Sequence, residues 1–191
     1  MRVLMLLAAL LPLPLPALAG SAADFDFWIG SWELSWPKDG KGYNLVTKIL
    51  DDKVVLESFD GRPATPLVGR SLSVYDAKAD VWRQTWVDNQ GGYLDFEGGM
   101  QPDGRMVLSR EAERDGKRFL QRMVWFDIGT DGFTWHWERS DDGGETWKLV
   151  WPIQYRRAAV IRQRGPVGGR QRHRRLRAPR AAGHHRGPQV G

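Results

Sequence analysis

Short runs in which apolar and polar side chains alternate fill the middle of the chain. In the run VWRQTWVD, at residues 81–88, Trp82, Gln84 and Trp86 share one face if the segment is extended. The run FTWHWER, at residues 133–139, alternates in the same way. Both runs are rich in the β-branched and aromatic residues that favour strands, so the pattern predicts an all-β protein.

Turn signals separate these runs at regular intervals. Asp-Gly occurs six times, and both residues tolerate the positive φ angles that tight hairpin turns require. Three further breaks lie at 51–52, 76–80 and 89–92. Nine turns imply ten strands, spaced by the roughly 8–12 residues typical of a β-barrel or β-sandwich. The six Asp-Gly pairs begin at Asp39, Asp60, Asp103, Asp115, Asp131 and Asp142.

Consecutive short hairpins favour an up-and-down arrangement of neighbouring strands. Such a sheet removes its two exposed edges by closing on itself. We therefore predict an antiparallel up-and-down barrel of about ten strands, with a two-sheet sandwich as the alternative. Residues 24–30 are the only helical candidate, a short N-terminal helix that Asp24 would cap. A barrel of this size is wide enough to hold a small ligand.

The N-terminal stretch differs from the predicted barrel domain, which spans residues 24–157. Residues 1–19 begin with the basic Arg2, continue with an apolar run that three prolines interrupt, and end in the cleavage motif Ala17-Leu18-Ala19. This order is typical of a secretory signal peptide. Cleavage is expected after Ala19, or as late as Ala23. The chain has no cysteine, so no disulfide supports the fold. We predict a periplasmic or secreted protein with no membrane span after signal cleavage.

Charge also divides the chain. Residues 24–155 carry 16 basic and 23 acidic residues, a net charge of −7, whereas residues 156–191 contain 11 arginines and no acidic residue. The tail at 158–191 lacks hydrophobic periodicity, and its composition predicts disorder. An arm for nucleic acid is one interpretation, but we expect no nucleic-acid partner for an exported protein. A shifted reading frame in a GC-rich gene would produce the same composition.

Several motifs resemble a family of uncharacterised bacterial exported proteins, a domain of unknown function with a calycin (lipocalin-like) β-barrel. They include FDFWIGSWEL at 25–34, WRQTWVD at 82–88 and SDDGGETW at 140–147, and the resemblance extends over about residues 24–157. The resemblance implies a calycin-like barrel in which Gly30 permits a close approach of the chain and Trp32 packs across the closed end. It implies no particular activity.

The same layout resembles nitrobindin-like haem barrels, in which a histidine faces the cavity. His136 is the only histidine of the predicted domain, and alternation places it opposite the face of Phe133, Trp135 and Trp137. A lone histidine on a strand is more often a surface or hydrogen-bonded residue than a haem ligand. We therefore predict no haem and no other cofactor.

SDDGGETW, at residues 140–147, also matches the S-x-D-x-G-x-T-W pattern of the Asp-box in sialidase propellers. One copy in a chain of this length cannot build several propeller blades, so we interpret it as a hairpin turn. Ser140 and Asp142 would accept backbone N–H groups, Gly144 would supply a permissive φ angle, and Trp147 would pack on the returning strand. The acidic residues here lack the ligand spacing of a calcium loop, and we predict no metal site.

The remaining candidate site is a face of the barrel, because no motif of a known catalytic or phosphate-binding class is present. Trp82, Gln84 and Trp86 are predicted to line it, with charge from Glu57 or Arg70. These polar residues also fit solvent-side positions or ion pairs that fix strand register. We predict binding of a small apolar or amphipathic molecule. The alternatives are an enzyme with a polar interior and a structural or interaction barrel with a filled core. The oligomeric state is left open.

Overall fold

The computed structural model describes residues 20–159, which form a closed antiparallel barrel of ten strands. Each strand pairs with its neighbours in sequence, and the first pairs with the last, so the predicted barrel is confirmed and the sandwich alternative is wrong. The strands are β1 (Gly30–Trp36), β2 (Gly40–Ile49), β3 (Val54–Asp60), β4 (Val68–Asp76), β5 (Val81–Asp88), β6 (Tyr93–Met100), β7 (Met106–Arg114), β8 (Lys117–Phe126), β9 (Gly132–Ser140) and β10 (Lys148–Arg157). The predicted signal peptide at 1–19 lies outside the described residues, as does the predicted tail beyond residue 159.

The hairpin turns have the backbone conformation that their sequences favour. Asp115 and Gly116 join β7 to β8 with φ angles of 54° and 72°. At the first hairpin the two left-handed residues are Lys38 and Asp39, at 66° and 58°, and Gly40 already belongs to β2. The Asp-Gly signal therefore located this turn correctly but one residue late.

The predicted N-terminal helix is only a 3₁₀ turn, Asp26–Trp28. Asp24 does not cap it, because its carboxylate accepts a hydrogen bond from the backbone N–H of Ser21 at 2.9 Å. The capping position is Phe25, which has no side-chain oxygen to offer. Within residues 20–159, no helix has the length and apolar character needed to cross a membrane.

Aromatic side chains before β1 close one end of the barrel. Phe25 and Trp28 are fully buried, and the ring of Phe25 packs edge-on against Trp82 and Trp125 at centroid distances of 4.8 and 5.4 Å. The indole N–H of Trp32 donates to the carbonyl of Trp28 at 2.8 Å. We call this end, where the chain enters β1, the closed end.

Arg157 fastens the entering chain to the closed end. Its guanidinium donates to the carbonyls of Ile29 and Thr130, both at 3.0 Å, and lies 4.1 Å from the ring centroid of Trp32. Gly30 has a φ angle of +140°, and a β-carbon there would lie 2.3 Å from the Arg157 guanidinium. Glycine at position 30 therefore permits a close approach of the chain, as the calycin resemblance implied.

The turn between β9 and β10 is held by its own side chains. The Ser140 hydroxyl accepts the backbone N–H of Gly144 at 2.8 Å and donates to Asp142 at 2.7 Å. Asp142 accepts the backbone N–H of Thr146 at 3.0 Å, and the indole of Trp147 donates to the Gly144 carbonyl. The hydrogen bonds from Ser140 and Thr146 hold the pKa of Asp142 well below its usual range.

We expect Ser140→Ala to lower the free energy of unfolding by about 1–3 kcal/mol, because it leaves the Gly144 N–H without its partner. Ser140 is fully buried, so water does not readily replace the hydroxyl. Ser31→Ala, at an exposed position on β1, is the control and should leave urea unfolding unchanged. Equal unfolding midpoints for both variants would contradict this account of the turn.

Candidate functional site

The predicted face of β5 points into the barrel, but its residues lie at different depths. Trp82 is at the closed end, where its indole N–H donates to the carbonyl of Ser21 at 3.2 Å. Gln84 is buried and donates to the hydroxyl of Ser73 at 2.8 Å. Trp86 is half-buried and lines a cavity inside the barrel. All three side chains therefore point into the lumen, but only that of Trp86 lines the cavity.

The lumen contains a cavity of about 200 Å³. Nine of the fifteen side chains around it are aromatic, and most of the others are aliphatic. The lining residues are Trp28, Glu57, Phe59, Leu67, Trp86, Asp88, Leu94, Phe96, Met123, Trp125, Trp135, Trp137, Trp151, Ile153 and Tyr155. Such a composition is typical of a small-molecule site.

Six of these aromatic side chains touch one another in a chain around the lumen. Successive ring centroids are 6.0, 5.9, 6.2, 6.4 and 5.6 Å apart, within the range of aromatic pairing. We call this set the aromatic girdle. Its members, in contact order, are Trp86, Phe59, Trp151, Trp135, Trp137 and Phe96.

The four girdle tryptophans keep part of their surface exposed, although they point inwards. In contrast, Trp28 and Trp125, which line the same cavity near the closed end, are buried. Leu67, just before β4, and Asp88, the last residue of β5, also line the cavity. Both lie at the end of the barrel opposite the closed end. The cavity therefore approaches solvent at the end opposite the closed end, which we call the mouth.

Glu57 is the charged side chain deepest in this cavity, with 6% of its surface exposed. One carboxylate oxygen accepts the Asn44 amide N–H at 2.7 Å, and the other accepts the Ser71 hydroxyl at 2.6 Å. The Asn44 amide also donates to the hydroxyl of Tyr155 at 3.1 Å. Strands β2, β3, β4 and β10 thus contribute one member each to a buried polar cluster.

The environment of this cluster changes two ionisation equilibria. Burial raises the pKa of Glu57 above 4.5, and the hydrogen bonds from Ser71 and Asn44 and the charge of Arg70 only partly oppose it. Burial, with the nearby charge of Glu57, also holds the pKa of Tyr155 well above its usual range. The protonated form of Glu57 is therefore favoured more than in an exposed glutamate, while Tyr155 stays protonated.

Arg70 lies on the outer face of β4, where its guanidinium donates to the Gly69 carbonyl at 2.8 Å. Gly69 and Ser71 are the inward residues on either side of it. Arg70 does not line the cavity and reaches Glu57 only through long-range charge. Of the two residues predicted to supply charge, Glu57 points into the lumen and Arg70 does not.

Asp88 carries a second carboxylate at the mouth. It accepts the indole N–H of Trp86 at 3.0 Å and the backbone N–H groups of Gln90 and Gly92, both at 2.9 Å. These hydrogen bonds, that of Trp86 first, lower the pKa of Asp88. Asp88 therefore orients the Trp86 ring and is ionised at neutral pH.

A groove opens in the wall between β6 and β7, because these strands pair only from Glu97 to Met100 on the β6 side. Gln84, Phe96 and Arg110 line this groove, and Phe96 also lines the cavity. The Arg110 guanidinium lies 5.8 Å from the Phe96 ring centroid. Phe96 thus borders both the groove and the lumen.

His136 lies on the outer side of β9. Its Nδ1 is 3.2 Å from the Glu138 carboxylate, and its ring packs edge-on against Phe126 at 4.7 Å. Alternation had predicted this placement, away from the cavity. Among residues 20–159, no group of three or more His, Cys, Asp or Glu side chains is arranged to hold a metal ion.

Sequence reasoning missed Asn44, Tyr155 and most of the girdle. Asn44 interrupts the small and apolar inward positions of β2, which was the available signal for a buried polar residue. Tyr155 gave no comparable signal, because its partner is 111 residues away in sequence.

No model of a known protein family matches the chain, and a search of curated proteins found no match. The calycin resemblance therefore stays a prediction.

Proposed function

We propose that the lumen binds a small apolar or amphipathic molecule, whose apolar part lies within the aromatic girdle. The cavity of about 200 Å³ carries this proposal. It is larger than a cavity of roughly 150 Å³ that holds benzene, and smaller than the range of about 300–1,000 Å³ for drug-sized ligands. A ligand of one or two rings, or a short branched chain, fits these limits.

The buried polar cluster supports an amphipathic ligand. Glu57 and Tyr155 line the cavity among apolar side chains, whereas their partners Asn44 and Ser71 stand behind them. A few converging polar groups in an apolar pocket fix the orientation of a ligand. The polar end of the ligand would then contact Glu57, and its apolar end would face the mouth.

Trp86→Ala tests this function, because Trp86 forms part of the girdle and reaches solvent at the mouth. We expect wild-type protein to bind 1-aminonaphthalene with a rise in probe fluorescence, and the variant to bind about tenfold more weakly. Trp147→Ala, in the β9–β10 turn away from the cavity, is the matched control and should bind normally. If the wild-type protein binds no probe, or if both variants lose probe binding equally, the alternative of a structural or interaction barrel with a filled core is the better account.

Acid–base catalysis is a second candidate. A buried carboxyl with a raised pKa that lines a cavity is a recurring feature of active sites. Native mass spectrometry of the purified protein tests it. A co-purifying ligand that is converted on incubation by the wild type but not by Glu57→Gln would favour the enzyme, whereas an unchanged ligand would favour simple binding.

We further propose that the protein is exported and cut after Ala19. The contacts of Gly20 support this position: its backbone nitrogen lies 2.8 Å from the Asp80 carboxylate, and its carbonyl 2.7 Å from the Tyr75 hydroxyl. Cleavage would turn that nitrogen into an ammonium group paired with Asp80. A cut after Ala23 would remove these contacts and the Ser21 carbonyl that binds Trp82.

We expect the mature protein to begin at Gly20, which N-terminal sequencing of the exported form will show. Asp80→Asn should lower the unfolding free energy of that form by about 0.2–1 kcal/mol, the usual range for an exposed ion pair. It should have a smaller effect on protein extended by one methionine, whose Gly20 nitrogen is uncharged. Export with Met1 retained would refute the proposal.

A further inference from the structure

The cavity is acidic as well as aromatic. Among the described residues, its charged lining side chains are Glu57 inside and Asp88 at the mouth, and it has no basic side chain. We infer that the lumen takes a small organic cation, an amine or quaternary ammonium with an apolar group, whose charge lies beside Glu57. This inference deepens the proposed function and rests on it.

The contacts of Glu57 leave its charge without a local counterion. Its hydrogen-bond donors, Asn44 and Ser71, are neutral, and Arg70 lies on the other side of the barrel wall. A carboxylate accepts up to about four hydrogen bonds, so both oxygens keep the capacity for a further donor or cation. A bound ammonium group would supply the missing positive charge in a site from which water is largely removed.

The aromatic girdle favours the same class of ligand. The faces of tryptophan, tyrosine and phenylalanine attract cations, tryptophan most strongly, and cages of such rings recognise quaternary ammonium groups. Within the described part of the chain, arginine side chains lie over Trp32, Phe119, Trp147 and, at 5.8 Å, over Phe96. The four girdle tryptophans have no such partner there, and each keeps part of its surface exposed where it lines the cavity.

The same charges disfavour the opposite ligand class. A carboxylate ligand would have to pass Asp88 and then lie near Glu57, and like charges in a poorly hydrated site repel strongly. The Arg110 guanidinium does not line the cavity: it lines the groove, lies 5.8 Å from the Phe96 ring centroid and donates to Gln121. The site should therefore select cations over both neutral and anionic molecules of equal size.

Three probes of similar shape test this selection by isothermal titration or by quenching of tryptophan fluorescence. Phenyltrimethylammonium is the cation, tert-butylbenzene its neutral isostere, and phenylacetate an anion. We expect the cation to bind wild-type protein about tenfold or more tightly than tert-butylbenzene, and phenylacetate to bind most weakly. Glu57→Gln should lower the affinity for the cation by about tenfold and leave tert-butylbenzene unchanged.

Glu33→Gln is the matched control, since it removes one carboxylate from the outer face of β1, where Glu33 pairs with Arg156. It should leave the preference among the probes intact. Preferential binding of tert-butylbenzene or phenylacetate by the wild type would overturn the cation inference but support the proposed function. Failure of all three probes to bind would overturn both.

A second readout distinguishes charge from shape. Phenyltrimethylammonium carries its charge at every pH, so any pH dependence of binding belongs to the protein. The other ionisable groups of the cavity do not titrate between about pH 5 and 8, because the pKa of Tyr155 is held well above its usual range and the pKa of Asp88 is lowered. Affinity should rise with pH as Glu57 ionises, and Glu57→Gln should abolish the rise. A flat profile for the wild type would overturn the inference.

Discussion

Trp32→Ala should lower the free energy of unfolding by about 3–5 kcal/mol, the usual cost of removing a large aromatic side chain from a core. Trp32 is 1% exposed and packs against Phe133 and Tyr155 at centroid distances of 4.9 and 6.1 Å. The variant also loses the hydrogen bond from the Trp32 indole to the Trp28 carbonyl and the cation–π contact between Arg157 and the Trp32 ring. For a domain of this size such a loss is a large part of its total stability. Urea unfolding followed by far-UV circular dichroism measures it.

Trp86→Ala is the matched control for stability. Trp86 is half-buried and borders open space, so fewer packing contacts disappear with it, and we expect a cost of about 1–2 kcal/mol. If Trp86→Ala destabilises the protein as much as Trp32→Ala, then Trp86 is an ordinary core residue. The distinction between a packed closed end and an open mouth would then be wrong.

The strand order was predictable because its signals are local. A pair such as Asp115-Gly116 specifies a tight turn through its own backbone preferences, and nine such signals between alternating runs imply ten strands. Barrel closure was inferred only from the general cost of exposed edges. The pairing that achieves it, Leu34 opposite Tyr155, joins residues that no local pattern relates.

The candidate site was predictable only in part, because alternation gives the face of a residue but not its depth. Trp82 and Trp86 share a face, yet one lies at the closed end and the other near the mouth. Strand β4 shows a second difficulty. Its apolar residues Leu72 and Val74 lie outside, at 48% and 42% exposure, while its serines point inwards.

The inward serines of β4 have a physical reason. Ser71 donates to Glu57, and Ser73 accepts from Gln84, so the buried polar groups of neighbouring strands receive hydrogen bonds there. Apolarity alone therefore gives the wrong face for this strand. Because side chains alternate along β4 and the serines point inwards, Arg70 lies on the outer face with Leu72 and Val74.

Glu57→Gln should raise the free energy of unfolding at neutral pH by roughly 1–3 kcal/mol, because it removes a buried charge that is only partly compensated. Glutamine still accepts the Ser71 hydroxyl. Its amide N–H can donate to the side-chain carbonyl of Asn44, which has no partner among the described residues, if the Asn44 amide rotates.

The pH dependence of this gain identifies its origin. The pKa of Glu57 is raised in the folded protein, so the unfolded chain releases this proton first as the pH rises above about 4.5. Wild-type stability is therefore lost through this group as pH rises from the unfolded to the folded pKa, whereas Glu57→Gln does not incur that loss. The difference in unfolding free energy between variant and wild type should grow as the pH rises above about 4.5, as measured by urea unfolding.

Other carboxyls do not obscure this difference. Asp88, Asp141 and Asp142 have lowered pKa values, so their contribution to stability is present at neutral pH and lost as pH falls, equally in both proteins. The outer-face variant Glu33→Gln should show no gain that increases with pH. A wild-type protein more stable than Glu57→Gln across the whole range would mean that the carboxylate is fully compensated without a ligand. The Glu57 carboxylate would then not require the positive charge that we assign to the ligand.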